Sequence, residues 1–332
     1  MKLQERIDLL ARLGKYMLSD DDQWKIAKEK AGWENSWFLP EFIELACRNI
    51  AHDLLEEDRL APWAESYSLP TENAAPKKVG MVMAGNIPLV GFHDLLCVFI
   101  TGNRAMIKPS SRDQALVRHL VTILQHWNRE VEELISFSDM LKGCDAYIAT
   151  GSNNSAGYFD YYFGKYPHII RKNRTSVSVL TGHETNEDLD RLADDVYLYF
   201  GLGCRNVTKI WVPEAYDFVP LLNAFRKYHY LIELPKYKNN YDYNLSLLLL
   251  NHRTYMSNDS ILLVEERSPF SPIGQLNYEY YRQPESLLGH LKQQTDLQCI
   301  VGKGFIPFGQ AQHPSLRDYA DGVDTMQFLG SF

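Results

Sequence analysis

Apolar positions near the start of the chain recur at helical spacing, with Leu3, Ile7, Leu10 and Leu13 on one face. Ser19 and Asp20 are placed to cap a second helix, and Pro40 opens a third that carries Phe42, Leu45, Ile50 and Leu54. After Ala75 the pattern changes. Residues 79–84 form a short apolar run ending at Gly85-Asn86, and residues 89–100 read as a helix that stops at Gly102. A second run, 104–107, ends at Lys108-Pro109-Ser110-Ser111 and is followed by an amphipathic helix over 114–127. A third, 146–149, leads into Thr150-Gly151-Ser152 and another helix. Strands alternating with helices of this length predict a doubly wound parallel α/β sheet. Ligands of such sheets lie beyond the carboxyl ends of the strands, where all three polar turns fall.

Residues 176–180 predict a further strand, and the acidic, aromatic stretch 187–200 a helix running into Gly201 and Gly203. Beyond it, 207–212, 261–264, 273–276 and 297–301 read as strands of a second α/β unit. The polar, tyrosine-rich residues 228–243 read as a long loop. Residues 304–332, broken by Pro307, Gly309, Pro314 and Gly322, read as an extended crossing segment.

A chain of 332 residues accommodates two such domains. Its 45% hydrophobic and 23% charged content excludes global disorder, and a net charge of −8 argues against an extended nucleic-acid-binding surface. A local basic pocket remains compatible with that charge. The five cysteines (Cys47, Cys97, Cys144, Cys204, Cys299) are far apart and form no Cys-x-x-Cys pair, so neither a zinc site nor a disulfide framework is expected. The charged first turns are wrong for a secretory signal. Residues 87–100 are too short to span a bilayer and contain His93 and Asp94. These features predict a cytoplasmic protein without a membrane span.

Chemistry concentrates at Cys204. Gly201 and Gly203 let the backbone turn sharply in front of it, and backbone N–H groups together with Arg205 would favour thiolate over thiol. The plainer alternative is a small buried hydrophobe, the usual fate of a cysteine outside disulfides.

No Gly-x-Gly-x-x-Gly fingerprint is present. The order Asn86-Ile87-Pro88, Lys108-Pro109-Ser110, Thr150-Gly151-Ser152 and Gly203-Cys204 nevertheless resembles the aldehyde dehydrogenase superfamily, which uses these motifs in this order. Within it, the chain most resembles the acyl-CoA reductase (LuxC-type) family. That likeness rests on Val82-Met-Ala-Gly-Asn-Ile-Pro88, Arg174-Thr-Ser-Val-Ser-Val-Leu180 and Tyr319-Ala-Asp-Gly-Val-Asp324, and spans about residues 75–330.

The resemblance implies an aldehyde-dehydrogenase-like α/β fold. Residues 1–74 would be a helical region packing on a cofactor domain, 75–200, followed by a catalytic cysteine domain, 201–305, and an extended tail, 306–332. It implies reduction of an acyl-CoA to the aldehyde with NADPH. Cys204 would attack the thioester carbonyl, release coenzyme A and carry the acyl group until hydride from the nicotinamide reduces it. The Asn86 side chain and the Cys204 N–H would hold the oxyanion. Lys108 would contact the adenosine ribose, with Ser110 beside it, and Gly151 and Ser152 would bring a helix N-terminus to the pyrophosphate. Glu266 would hold the nicotinamide ribose. Without that likeness, Asn86 reads equally as a turn or cap residue and Lys108 as a solvated strand-end lysine.

Two departures from the superfamily carry information. Ser111 and Arg112 stand where many NAD-dependent members have a glutamate. A carboxylate there would repel a 2′-phosphate that serine and arginine can bind, so NADPH is expected, with NADH as the alternative. The stretch Arg171-Lys-Asn-Arg174 stands where the superfamily supplies its water-activating glutamate, and holds no carboxylate. An acyl-enzyme would then survive water and be reduced, or be passed to coenzyme A. His183 and Glu184 are candidate acids for the leaving thiolate or merely solvated; His93 and His252 read as packing or surface residues. The cluster Tyr158, Phe159, Tyr161, Tyr162 and Phe163 reads as an apolar tunnel, a core face or an interface. A homodimer is expected, although the catalytic region is short for the superfamily's dimerising hairpin. The alternatives are a reductase of an acyl-protein thioester or acyl phosphate, and a non-catalytic nucleotide- or coenzyme-A-binding protein.

Overall fold

The helical stripe at the start of the chain is buried in the computed structural model, which describes residues 1–151 and 153–331. Helix Leu3–Met17 buries Ile7, Leu10 and Leu13. Asp21, not Ser19 or Asp20, caps the next helix, Asp22–Glu34, by accepting the N–H groups of Gln23 and Trp24. The Ser19 hydroxyl instead donates to the Tyr16 carbonyl and closes the first helix. Pro40 begins helix Pro40–Asn49 as expected, and a π turn, Ile50–Leu54, continues it. Trp24, Phe38, Leu60 and Trp63 from this region share one core with Val79 and Ile107 of the sheet, so the helices pack on the strands.

The chain divides into two compact units, Met1–Asn173 with Pro314–Phe332, and Arg174–His313. The first holds β1 (Lys78–Val82), β2 (Arg104–Lys108), β3 (Ile135–Phe137), β4 (Ala146–Thr150) and β5 (His168–Arg171). Their order is β3-β2-β1-β4-β5, with every pairing parallel. The pattern of the sequence missed β3 and β5, because three or four residues are too few to show a period. The order reverses at β1, which pairs with β2 on one side and β4 on the other. That is the switch point at which open α/β sheets bind ligands.

One buried ion pair ties this unit together. The Arg171 guanidinium, at the end of β5, donates to both oxygens of Asp94, at 3.1 and 2.6 Å, and to the Thr325 hydroxyl at 2.8 Å. It also donates to the Ala320 carbonyl. The last residues are therefore not merely an extended tail: they form helix Thr325–Leu329 and return to this core. Burial by itself would raise the Asp94 carboxyl. The Arg171 charge and hydrogen bonds outweigh it and hold the group below its ordinary value.

The second unit holds β6 (Thr175–Val179), β7 (Val207–Pro213), β8 (Met256–Ser257), β9 (Leu262–Glu265), β10 (Gln275–Tyr281) and β11 (Leu297–Gly302). The order is β11-β6-β7-β10-β9-β8, and only the β8–β9 pairing is antiparallel. Because β6 pairs with β7 and β11, it falls in this unit with helix Asn186–Tyr197. The chain therefore divides at residue 174, not at residue 201. Residues 228–243 are helical, where the sequence pattern indicated a loop. Pro235 opens helix Pro235–Leu250, whose buried Tyr237, Tyr241, Asn244 and Leu248 recur at i, i+4, i+7 and i+11. Tyrosines and asparagines form this face, so a count of aliphatic residues misses it.

Candidate active site

The glycine-rich stretch before Cys204 turns more sharply than two glycines require. Helix Asn186–Tyr197 passes into the 3₁₀ turn Leu198–Gly201 through left-handed backbone at Tyr199 (φ 54°), Phe200 (φ 59°) and Gly201 (φ 74°). Only glycine adopts that conformation freely, so Tyr199 and Phe200 each store roughly 1–2 kcal/mol. Packing offsets it. Both side chains are buried, and the Phe200 ring lies 5.9 Å from that of Tyr237. Phe200, Leu202, Tyr237 and Ile273 line a cavity of about 180 Å³ beneath the turn.

Cys204 occupies the second position of a turn that Asn206 closes. The Asn206 N–H donates to the Gly203 carbonyl (3.0 Å), and its side-chain oxygen accepts the Gly203 N–H (2.8 Å). The Arg205 Nε donates to the Ala311 carbonyl. Ser176 on β6 donates its hydroxyl to the Cys204 carbonyl (3.0 Å) and lies 3.0 Å from Cys299 Sγ. Cys47, Cys97 and Cys144 are buried, and desolvation pushes all three thiols up, Cys47 to about 12. Cys204 and Cys299 are half-exposed, and Ser176 lies between them, bonded to the Cys204 carbonyl and 3.0 Å from the Cys299 sulfur. Neither Ser176 nor Asn206 is marked by its local sequence. Their importance comes from strand pairing, which brings residue 176 beside residue 207.

Beneath the turn, Asp195 is buried and accepts the N–H groups of Gly309 (2.7 Å) and Ala311 (3.0 Å). Burial pushes its carboxyl up to about 7 against the pull of those N–H groups. The unfolded carboxyl ionises near ~3.9, so folding binds a proton between those values. The contribution of Asp195 to stability is fully present below about pH 4 and is lost as pH rises through about 7. Asp195→Asn removes the titrating carboxyl and keeps an acceptor for one of the two N–H groups. Its unfolding free energy in urea, relative to wild type, is expected to rise by about 1–3 kcal/mol between pH 5 and pH 8.

The other candidates lie in the first unit, except Glu266. Asn86 follows β1, and Lys108 ends β2 with its side chain exposed. Ser110 is half-exposed, its Oγ accepting the Arg112 N–H at 3.2 Å, and Ser111 and Arg112 are exposed. Gly151 follows β4, and its N–H donates to the Arg171 carbonyl. Ser152 lies outside the described residues. The parallel pairing of β1 with β2 and β4 brings Asn86, Lys108 and Gly151 to one sheet edge, as the sequence indicated. The Gly85 loop packs so closely on its neighbour that a Cβ there would meet Ser110 Oγ at 2.6 Å. Two residues that hold these loops were not legible in the sequence. Buried Asn35, from the N-terminal helices, donates to the Gly85 and Arg112 carbonyls at 3.5 and 3.3 Å. Asp113 accepts the Leu89 N–H at 2.6 Å, where Leu89 is left-handed (φ 56°), and burial pushes this carboxyl up to about 7.

Glu266, in the second unit, accepts from Arg253 (2.9 Å) and from the Arg267 N–H (2.8 Å), which hold its carboxyl below the ordinary value. Glu184 closes its own turn by accepting from Thr181 and Gly182, while His183 and His252 are exposed. His93 packs between Trp63 and Tyr319 and bonds the Leu316 carbonyl, a packing role as expected. Tyr158, Tyr161 and Tyr162 face solvent and Phe159 stacks on Phe163, so this cluster is a helix face, not a tunnel.

No protein-family model matches the chain. Over 307 residues it is 22% identical to a long-chain acyl-protein thioester reductase 2 from Photobacterium leiognathi, covering 83% of this chain and 61% of that protein. The chain thus spans about three fifths of the length of the curated relatives it matches. It is a distant homologue of these LuxC-type reductases. Solved structures of higher similarity in shape show the fold. Aldehyde dehydrogenase 21 from Physcomitrella patens matches with a TM-score of 0.66 at 13% identity, over 91% of this chain and 74% of that one. The succinic semialdehyde dehydrogenase of Streptococcus pyogenes, solved with NADP+, matches at 0.63 and 12% identity, over 90% and 76%. The fold is that of the aldehyde dehydrogenase superfamily. Among the described residues no helix is long and apolar enough to cross a membrane.

Proposed function

We propose that the protein is an NADPH-dependent thioester reductase that carries the acyl group on Cys204 and releases an aldehyde. The observation that carries this reading is a half-exposed cysteine held in a hydrogen-bonded turn that directly follows strained backbone, in a chain whose distant homologues are named thioester reductases. A protein that only binds nucleotide has no use for such a turn. The donor assigned first is an acyl-CoA. The names of the relatives favour an acyl-protein thioester as the second donor.

A nicotinamide cofactor fits the first unit. The strand order reverses at β1, the place where such sheets bind ligands, and Lys108 and Gly151 stand at that edge as a cation and a close backbone approach. Lys108, Ser110, Ser111, Arg112, Gly151 and Ser152 are assigned to it. When bound, the cofactor supplies the hydride that reduces the acyl group. The protein does the rest. The Cys204 thiolate attacks the thioester carbonyl; a carbon–sulfur bond forms, and the carbonyl π pair moves to oxygen. The Cys204 N–H is assigned to that oxyanion, whose collapse expels the donor thiolate. The stretch Arg171-Lys-Asn-Arg174, which stands near the place of the superfamily's water-activating glutamate, holds no carboxylate, and its Arg171 is paired with Asp94.

NADPH oxidation followed with short, medium and long acyl-CoAs, and with acylated carrier protein, tests the reading. Turnover with one donor class is expected; cofactor binding without turnover on any thioester overturns it. Ser111→Glu places a carboxylate against the 2′-phosphate and is expected to lower kcat/KM for NADPH at least about tenfold relative to NADH. Equal losses for both cofactors would remove Ser111 from the phosphate site.

A further inference from the structure

We infer that Asn206, assisted by Ser176, is the positioning residue that aims the Cys204 peptide N–H at the reacting carbonyl. The inference rests on the thioester reading above and adds to it the device that orients the oxyanion donor.

Asn206 is fully buried, and every polar group it carries is used. Its side-chain amide donates to the carbonyls of Asp195 (3.1 Å) and Leu198 (2.8 Å), which fixes it to the end of helix Asn186–Tyr197. Its carbonyl accepts the Ser176 N–H (3.0 Å), which fixes it to β6. From that anchored position it controls two consecutive peptides. The side-chain oxygen holds the Leu202–Gly203 peptide through the Gly203 N–H, and the Asn206 N–H holds the Gly203–Cys204 peptide through the Gly203 carbonyl. A trans peptide points its carbonyl and its N–H in opposite directions. With the Gly203 carbonyl turned towards Asn206, the Cys204 N–H points away from it, out of the turn.

Ser176 holds the third peptide. Its hydroxyl donates to the Cys204 carbonyl and accepts the Cys299 N–H at 3.2 Å. The sheet is irregular at this place on both sides of β6. The β6–β7 register shifts between Ser176 and Val177, and the β11–β6 register shifts between Leu297 and Ile300. Such bulges re-aim side chains beside active sites, and here they let one serine reach both the Cys204 loop and β11. Three successive peptides around the nucleophile are thus set by Asn206, through its side chain and its own N–H, and by the Ser176 hydroxyl.

The experiment compares two reactions of Cys204 in Asn206→Asp, Ser176→Ala and wild type. Thioester acylation develops an oxyanion, and alkylation by iodoacetamide does not. Asn206→Asp keeps the acceptor for the Gly203 N–H and loses both donors to the helix end. It is expected to slow acylation by about 10²–10³-fold, the usual effect of losing an oxyanion donor, while alkylation changes less than about fivefold. Ser176→Ala is expected to give the same split at about tenfold, and it answers the question if the Asn206 variant does not fold. KM for NADPH stays within about twofold in both. Acylation and alkylation falling together would mark a structural role and overturn the inference, as would unchanged acylation in a folded variant. Acylation of wild type by no thioester would overturn the functional reading itself, and the inference with it.

Discussion

Cys204→Ala is expected to lower steady-state thioester reduction by at least about three orders of magnitude, with NADPH binding within about twofold of wild type. The size follows from chemistry. Without the thiolate, hydride would have to reach an unactivated thioester with no covalent intermediate to position it. Cys299 does not substitute, because its sulfur lies on β11, against Ser176 of β6, and not in the turn that Asn206 shapes. Cys299→Ser is therefore expected to retain most activity. Steady-state rates of the two variants, with cofactor titration by fluorescence, check both statements. Loss of activity in Cys299→Ser with retention in Cys204→Ala would exchange the roles of the two thiols.

Arg171→Met is expected to destabilise the first unit by about 3–5 kcal/mol, because it leaves the Asp94 carboxylate buried without its cation. The melting temperature should fall by roughly 6–20 °C for a unit of this size. The double variant Asp94→Leu with Arg171→Met should recover most of that loss, since two apolar side chains avoid the cost of burying the pair. Thermal melts of the three proteins decide it. A double variant no more stable than the single would mean that the contacts of Arg171 with Thr325 and Ala320, not its charge, hold the last helix in place.

Much of the fold was legible because its regular parts obey local rules. The β1, β2 and β4 runs are apolar and bounded by turn residues, and their parallel order followed from the helices between them. The helix Pro235–Leu250 was not legible, because its buried face is made of Tyr237, Tyr241 and Asn244, residues common in loops. The boundary near residue 174 was not legible either. It depends on β6 choosing β7 and β11 as neighbours, and nothing within residues 175–179 records that choice. For the candidate site, motif order singles out Cys204, Asn86 and Lys108, whose signal is local. Asn206, Ser176, Asn35 and Asp113 act through hydrogen bonds to backbone, most of it distant in sequence, and a buried asparagine or serine looks the same in sequence as a solvated one. One expectation at the site changed on folding: the left-handed strain falls on Tyr199 and Phe200 as well as on a glycine.

The most direct test of the central claim is intact-protein mass spectrometry after incubation with an acyl-CoA or an acylated carrier protein, with no reductant present. The account predicts one acyl adduct per chain, mapped by peptide digestion to Cys204, absent from Cys204→Ala and discharged on adding NADPH with release of aldehyde. An adduct on another residue, or NADPH-dependent aldehyde formation with Cys204 replaced, would contradict it.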